Sequence, residues 1–133
     1  MLHDGSRMKE AGLLQVLIVD DNALVRQGIR SMLEGHADLQ IVGEAGDGFE
    51  ALDLVRQLRP SIVLMDINMP RMNGIEATAK IRSGFPDTII IGLSVNANAP
   101  YQELMKRAGA ARLIPKEEAP ERIYEAIHEV LKM

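Results

Sequence analysis

The 133-residue chain has no cysteine and no tryptophan, and only two tyrosines and two phenylalanines. Without cysteine there is no disulfide framework, no thiolate nucleophile and no cysteine-ligated zinc. Aromatics make up 3% of the sequence, so the core must be aliphatic. No apolar run approaches the roughly 18 residues of a membrane span, and Met1 to Gly12 lacks the apolar centre of a signal peptide. Positive charge is also in short supply: 15 Lys and Arg stand against 19 Asp and Glu, a formal net charge of −4. That balance argues against direct binding of a nucleic-acid backbone or an anionic membrane, both of which need clustered cations. A protein or small anionic partner stays open, and a reducing cytoplasm is compatible.

With 47% hydrophobic and 26% charged residues, the composition is that of one globular domain able to bury its own core. Met1 to Gly12, with Gly5, Ser6 and a second methionine at Met8, reads as a linker or tail, leaving residues 13–133 as the domain.

Leu13 to Val19 is a short apolar run ending in two acids, as expected for a strand buried on both faces of a parallel sheet. Val25, Ile29, Met32 and Leu33 then recur at helical spacing, with Asn22 as N-cap and Gly35 as the stop. Leu39 to Ala45 is a second strand. Asp47 and Glu50 resemble a capping box that opens a helix carrying Ala51, Leu52, Val55 and Leu58 on one face. Ser61 to Met65 is a third strand, ending at Asp66, and Asn68-Met69-Pro70 leads through a loop to a helix over about Asn73 to Ser83. Thr88 to Leu93 ends at Ser94; a helix entered at Pro100 closes near Gly109. Ala111 to Ile114 is a fifth strand, and Ile123, Ile127, Val130 and Leu131 mark the inward stripe of a last helix. Strict alternation of strand and helix predicts a three-layer α/β sandwich around a parallel sheet. Ligands of such sheets bind beyond the carboxyl ends of the strands.

Those ends carry Asp20 and Asp21, Asp66, Ser94 and, just past the fifth strand, Lys116. Each alone is weak, because a strand-ending Asp is more often a helix cap or a solvated turn. Together, three carboxylates without Cys or His suit a hard cation with oxygen ligands, and Mg2+ is the natural choice where phosphate oxygens complete the shell. Asp66 can then act as a nucleophile toward phosphorus, with Lys116 and Ser94 holding the transferred oxygens.

The acidic pair Asp20-Asp21, the run Asp66-Ile67-Asn68-Met69-Pro70 with Gly74 beyond it, Ser94 and Pro115-Lys116 resemble response-regulator receiver domains over essentially all of Leu13 to Leu131. The resemblance implies a flavodoxin-like five-stranded parallel sheet of order 2-1-3-4-5. It also implies that Asp66 is the phosphoacceptor, that Asp21, Asp66 and the backbone carbonyl of Asn68 ligate Mg2+, and that Asp20 acts through water. The donor is expected to be a phosphohistidine on a histidine kinase or phosphotransfer protein. Such a domain is not an enzyme in its own right, although it assists its own phosphotransfer and dephosphorylation. Val42-Gly43-Glu44-Ala45, Asp47-Gly48 and Glu50-Ala51-Leu52 further resemble receivers that precede helix-turn-helix outputs; similar receivers close hybrid histidine kinases. A phosphorylation-dependent dimer fits the same picture. In this family the bond before Pro115 is a candidate cis peptide, which would help aim Lys116 inward.

Three residues depart from the family pattern. Leu113 stands where an aromatic is common, Val95 where a small residue follows the Ser, and Arg112 where Gly is common. Leu113 has no ring to turn inward, so a conformational signal on that face is expected to be weaker or differently wired. Val95 is expected to narrow access to the phosphoryl site. His3, His36 and His128 are read as solvent-facing or in the tail, with no metal role. Two further functions compete. A phosphohydrolase of the haloacid-dehalogenase kind needs an acid two residues after its nucleophile, and Asn68 stands there. A flavin- or nucleotide-binding module needs a glycine-rich phosphate cradle, and Asp20-Asp21-Asn22 has the opposite charge. A receiver-shaped scaffold that is never phosphorylated is the third alternative.

Overall fold

A computed structural model describes residues 12–132; apart from Gly12, the expected tail lies outside the described residues. In chain order the elements are β1 (Leu14–Val19), α1 (Ala23–Leu33), β2 (Leu39–Ala45), α2 (Gly48–Leu58), β3 (Ile62–Asp66) and α3 (Gly74–Gly84). They continue with β4 (Ile89–Ser94), α4 (Ala99–Ala108), β5 (Arg112–Pro115), a single 3-10 turn (Lys116–Glu118) and α5 (Ala119–Leu131). The strands form one parallel sheet in the order β2-β1-β3-β4-β5, the expected flavodoxin-like arrangement.

Side chains of a strand alternate between faces, and this sheet divides its core accordingly. Val16, Ile18, Ile62, Leu64, Ile91, Leu93 and Ile114 pack with α1 and α5 through Ile29, Leu33, Ile123, Ile127 and Val130. Leu17, Val19, Val63, Met65, Ile90 and Leu113 pack with α2, α3 and α4 through Ala51, Val55, Ala77, Ile81 and Met105. The centre of β3, from Ile62 to Met65, has no exposed surface, and each such side chain contributes roughly 1.5–3 kcal/mol by leaving water.

The helices start where local chemistry tells them to. Asn22 accepts from the amides of Leu24 and Val25, Asn73 from that of Glu76, and Asn98 from that of Tyr101. Asp47 caps α2 through the Glu50 amide, as expected, but Glu50 reaches back to the amide of Gly46 at 2.7 Å instead of that of Asp47. The capping box is thus displaced one residue upstream.

Several expectations need correction. β3 and β4 end at Asp66 and Ser94 as expected but, like β5, begin one residue later than the apolar pattern, and β5 runs on to Pro115 because Ser94 pairs with it in the ladder. Leu131 is 40% exposed and not part of the inward stripe of α5; it overhangs the amino-terminal edge of the sheet and lines a cavity there with Leu14 and Phe85. His36 and His128 are not simply solvated. The His36 ring stacks on Tyr124 with 3.6 Å between centroids, and His128 Nε2 lies 2.8 Å from Asp38 Oδ2. No peptide bond among the described residues is cis, so the bond before Pro115 is trans.

Candidate functional site

The carboxyl edge of the sheet is where β1, β3, β4 and β5 deliver their last residues. Asp20 follows β1 and is completely buried, with its amide on the Ala45 carbonyl at 3.0 Å and its Oδ1 accepting from the Asn22 amide at 2.8 Å. Asp21, next in the chain, is exposed. Asp66 ends β3 at 2% exposure, and its Oδ1 accepts from the Asn68 amide at 3.3 Å. Ser94 ends β4 fully buried, its Oγ accepting from the Asn96 amide at 3.0 Å.

Lys116 joins the acids. Its Nζ lies 2.8 Å from Asp20 Oδ2 and 3.1 Å from Asp66 Oδ1. Burial alone would lower the pKa of this ammonium, but the hydrogen bond to Asp20 and the charges of Asp66 and Asp20 outweigh it and raise the pKa. The pKa of Asp66 also rises, but for it this favours the neutral form. Burial first, then the charge of Asp20, push its pKa up to about 6 against the opposing pull of Lys116 and the Asn68 amide. One carboxylate oxygen each from Asp20, Asp21 and Asp66 fall within 4.8 Å of one another. Three carboxylates facing one ammonium leave an excess of negative charge, and a dication with oxygen preference offsets it. The donor set therefore fits the hard cation expected from the sequence.

The loop after Asp66 is built to hold its own shape. Met69 and Met72 are buried beneath it, while Asn68 and Pro70 face outward. Arg71 has the left-handed φ of 67°, and its guanidinium pairs with Asp47, the N-cap of α2. The Gly74 amide donates to the Ile67 carbonyl at 2.8 Å and closes the loop.

The structure thus brings together Asp20, Asp21, Asp66 and Lys116, and sets Ser94 and Asn68 on the same edge. Sequence reasoning missed Arg26, whose Nη1 donates to the Asp20 carbonyl at 2.6 Å, and Arg71; neither spacing carries a local signal. Leu24 and Val95, 77% and 75% exposed, stand on this edge. Between α1 and α5 an apolar groove of about 330 Å³, lined by Val25, Ile29, Met32 and Leu93, reaches Lys116.

Residues 16–128 match the model of the response regulator receiver domain. The chain is 40% identical over 118 residues to the response regulator GacA of Pseudomonas aeruginosa, covering 89% of this chain and 55% of GacA. It is 33% identical over 114 residues to the transcriptional regulatory protein DegU of Brevibacillus brevis, covering 86% of this chain and 48% of DegU. The chain therefore spans about half the length of these relatives. Among solved structures, a two-component response regulator of the LuxR family from Aurantimonas sp. SI85-9A1 superposes with a TM-score of 0.86 at 32% identity, covering 90% of this chain and 86% of that one. Strand order, the acidic edge and these likenesses agree: the chain belongs to the response regulator receiver domain family.

Proposed function

We propose that Asp66 accepts a phosphoryl group from a phosphohistidine donor protein in a Mg2+-dependent reaction. The observation that carries this reading is the meeting of Asp20, Asp66 and Lys116 at one buried point on the sheet edge, with exposed Asp21 beside it. Asp21, Asp66 and the Asn68 carbonyl would hold the cation, and Asp20 would act through water and by anchoring Lys116. When bound, Mg2+ supplies charge neutralisation between the carboxylates and the incoming phosphoryl oxygens.

In the transfer, an Asp66 carboxylate oxygen attacks phosphorus, the P–N bond to the donor histidine breaks, and the ring nitrogen leaves with the electron pair. Lys116 is placed to move from Asp66 to a phosphoryl oxygen as the carboxylate becomes an acyl phosphate. Ser94 offers a hydroxyl to another phosphoryl oxygen. Hydrolysis reverses the loading: water attacks phosphorus, the bond to Asp66 breaks, and inorganic phosphate departs. The donor reaches Asp66 from the edge that Leu24 and Val95 flank, and these exposed apolar side chains suit a helical partner. Of the two settings the sequence suggested, the likeness to the response regulator GacA and the transcriptional regulatory protein DegU supports a receiver that precedes an output domain over one attached to a kinase, and a cytoplasmic location belongs to the same reading. Phosphorylation-dependent dimerisation belongs to the same reading.

The test is intact mass after incubation with Mg2+ and phosphoramidate, for the wild type and Asp66→Asn. One phosphoryl adduct that needs Mg2+ and is lost in the variant is expected. Absence of an adduct, even with a purified phosphohistidine donor, would leave a receiver-shaped scaffold.

A further inference from the structure

Arg26 sits in the first turns of α1 and reaches the main chain beside the acidic cluster. Its Nη1 donates to the carbonyl of Asp20 at 2.6 Å, and its Nε to Glu44 Oε1 at 2.9 Å. Glu44 is itself held from the other side by Arg30 Nε at 2.7 Å from Oε2. It lies on β2 next to Ala45, whose carbonyl accepts the Asp20 amide at 3.0 Å. Both main-chain groups of Asp20 are therefore tied to fixed structure: the amide to β2, the carbonyl to α1.

The carbonyl of Asp20 and the amide of Asp21 share one peptide plane. A donor that fixes this carbonyl fixes the plane, and with it the direction in which the Asp21 α-carbon and carboxylate leave the turn. Charge is not the point of the contact. Arg30 also pairs with Glu34, so Arg26 and Arg30 are balanced by Glu44 and Glu34, and no net positive charge is added near the carboxylates. We propose that Arg26, braced by Glu44, is a positioning residue that holds the Asp20–Asp21 turn in the shape that binds Mg2+. The proposal rests on the reading of Asp20, Asp21 and Asp66 as the metal site.

The test is a titration of the unphosphorylated domain with Mg2+ alone, followed by the NMR amide signals of Asp21 and Asn68. Signals of Val63 and Leu64 serve as reporters of an intact core. Arg26→Met is expected to weaken Mg2+ binding about 10-fold or more, as loss of a group that orients a metal ligand does. Glu44→Gln should shift it in the same direction by less, and decides the matter if Arg26→Met does not fold. Arg30→Met loosens α1 on β2 but leaves the Arg26 contacts to Glu44 and the Asp20 carbonyl in place, and should lose clearly less affinity than Arg26→Met. Adduct formation from phosphoramidate should slow in Arg26→Met at low Mg2+ and recover when Mg2+ is raised. Wild-type affinity in both Arg26→Met and Glu44→Gln, or an equal loss in Arg30→Met, would reduce Arg26 to a staple between α1 and β2. A wild type whose amides ignore Mg2+ would instead remove the metal reading itself.

Discussion

A β-carbon on Gly74 would lie 2.0 Å from the carbonyl oxygen of Asp66. No side chain fits there, so the start of α3 and the backbone of Asp66 are in direct contact, and the Gly74 amide adds a hydrogen bond to the Ile67 carbonyl.

Gly74→Ala must therefore push the Asp66 main chain or the start of α3 aside. We expect a loss of roughly 1–3 kcal/mol or more by urea unfolding, the usual scale of overpacking. Mg2+-dependent adduct formation should slow as well. Wild-type stability and rate together would show that the loop yields freely.

Asp66 carries a pH signature. Burial and the Asp20 carboxylate push its pKa up to about 6, so the folded state binds this proton more tightly than the unfolded chain. Its contribution to stability is full below the ordinary Asp range of about 4 and is lost as pH rises through about 6. Asp66→Asn should consequently stabilise the domain at pH 7.5 without Mg2+, on the order of 2 kcal/mol, with the gain shrinking toward pH 4. Thermal melts of both proteins across that range, in chelator, check this; a pH-independent difference would contradict it.

At the far edge of the sheet, Asp38 Oδ2 accepts from the Tyr124 hydroxyl at 2.9 Å and sits 2.8 Å from His128 Nε2. Burial would raise the Asp38 pKa, but these hydrogen bonds outweigh it and lower it. Its contribution is thus present above the ordinary Asp range and lost as pH falls through the lower folded value. Asp38→Ala should reduce the melting temperature at pH 7, and the gap to wild type should narrow in acid. A gap that widens in acid would reverse the assignment.

Val95 is 75% exposed although it follows the fully buried Ser94. Val95→Ala should leave stability within about 0.5 kcal/mol, as for other exposed positions. If the side chain screens the phosphoryl site, adduct formation with phosphoramidate and loss of the adduct both become faster. Unchanged rates for both steps would end the steric idea.

Leu113 shows how far local pattern carries. Its place in an apolar strand made burial predictable, and it is 7% exposed. What it touches was not predictable. Its Cδ1 and the Cε of Met105 crowd Gly92, where a β-carbon would lie 2.9 and 2.7 Å from them. The space where the family commonly has an aromatic is here packed by aliphatic groups.

Local pattern was enough for the order of strands and helices, the caps at Asn22 and Asp47, and the choice of Asp20, Asp21, Asp66, Ser94 and Lys116 as candidates; the caps at Asn73 and Asn98 emerged only from the folded chain. The features read from local pattern rest on apolar runs, helical spacing and hydrogen bonds spanning a few residues, all of which act locally. It took the packed fold to show that Lys116 bridges Asp20 and Asp66, and that Glu44 on β2 braces Arg26. Such contacts depend on how α1 lies across β2, how far each strand pairs with its neighbour, and how closely α3 approaches β3. Helix packing and ladder pairing set those distances between residues remote in the chain, and no local pattern encodes them.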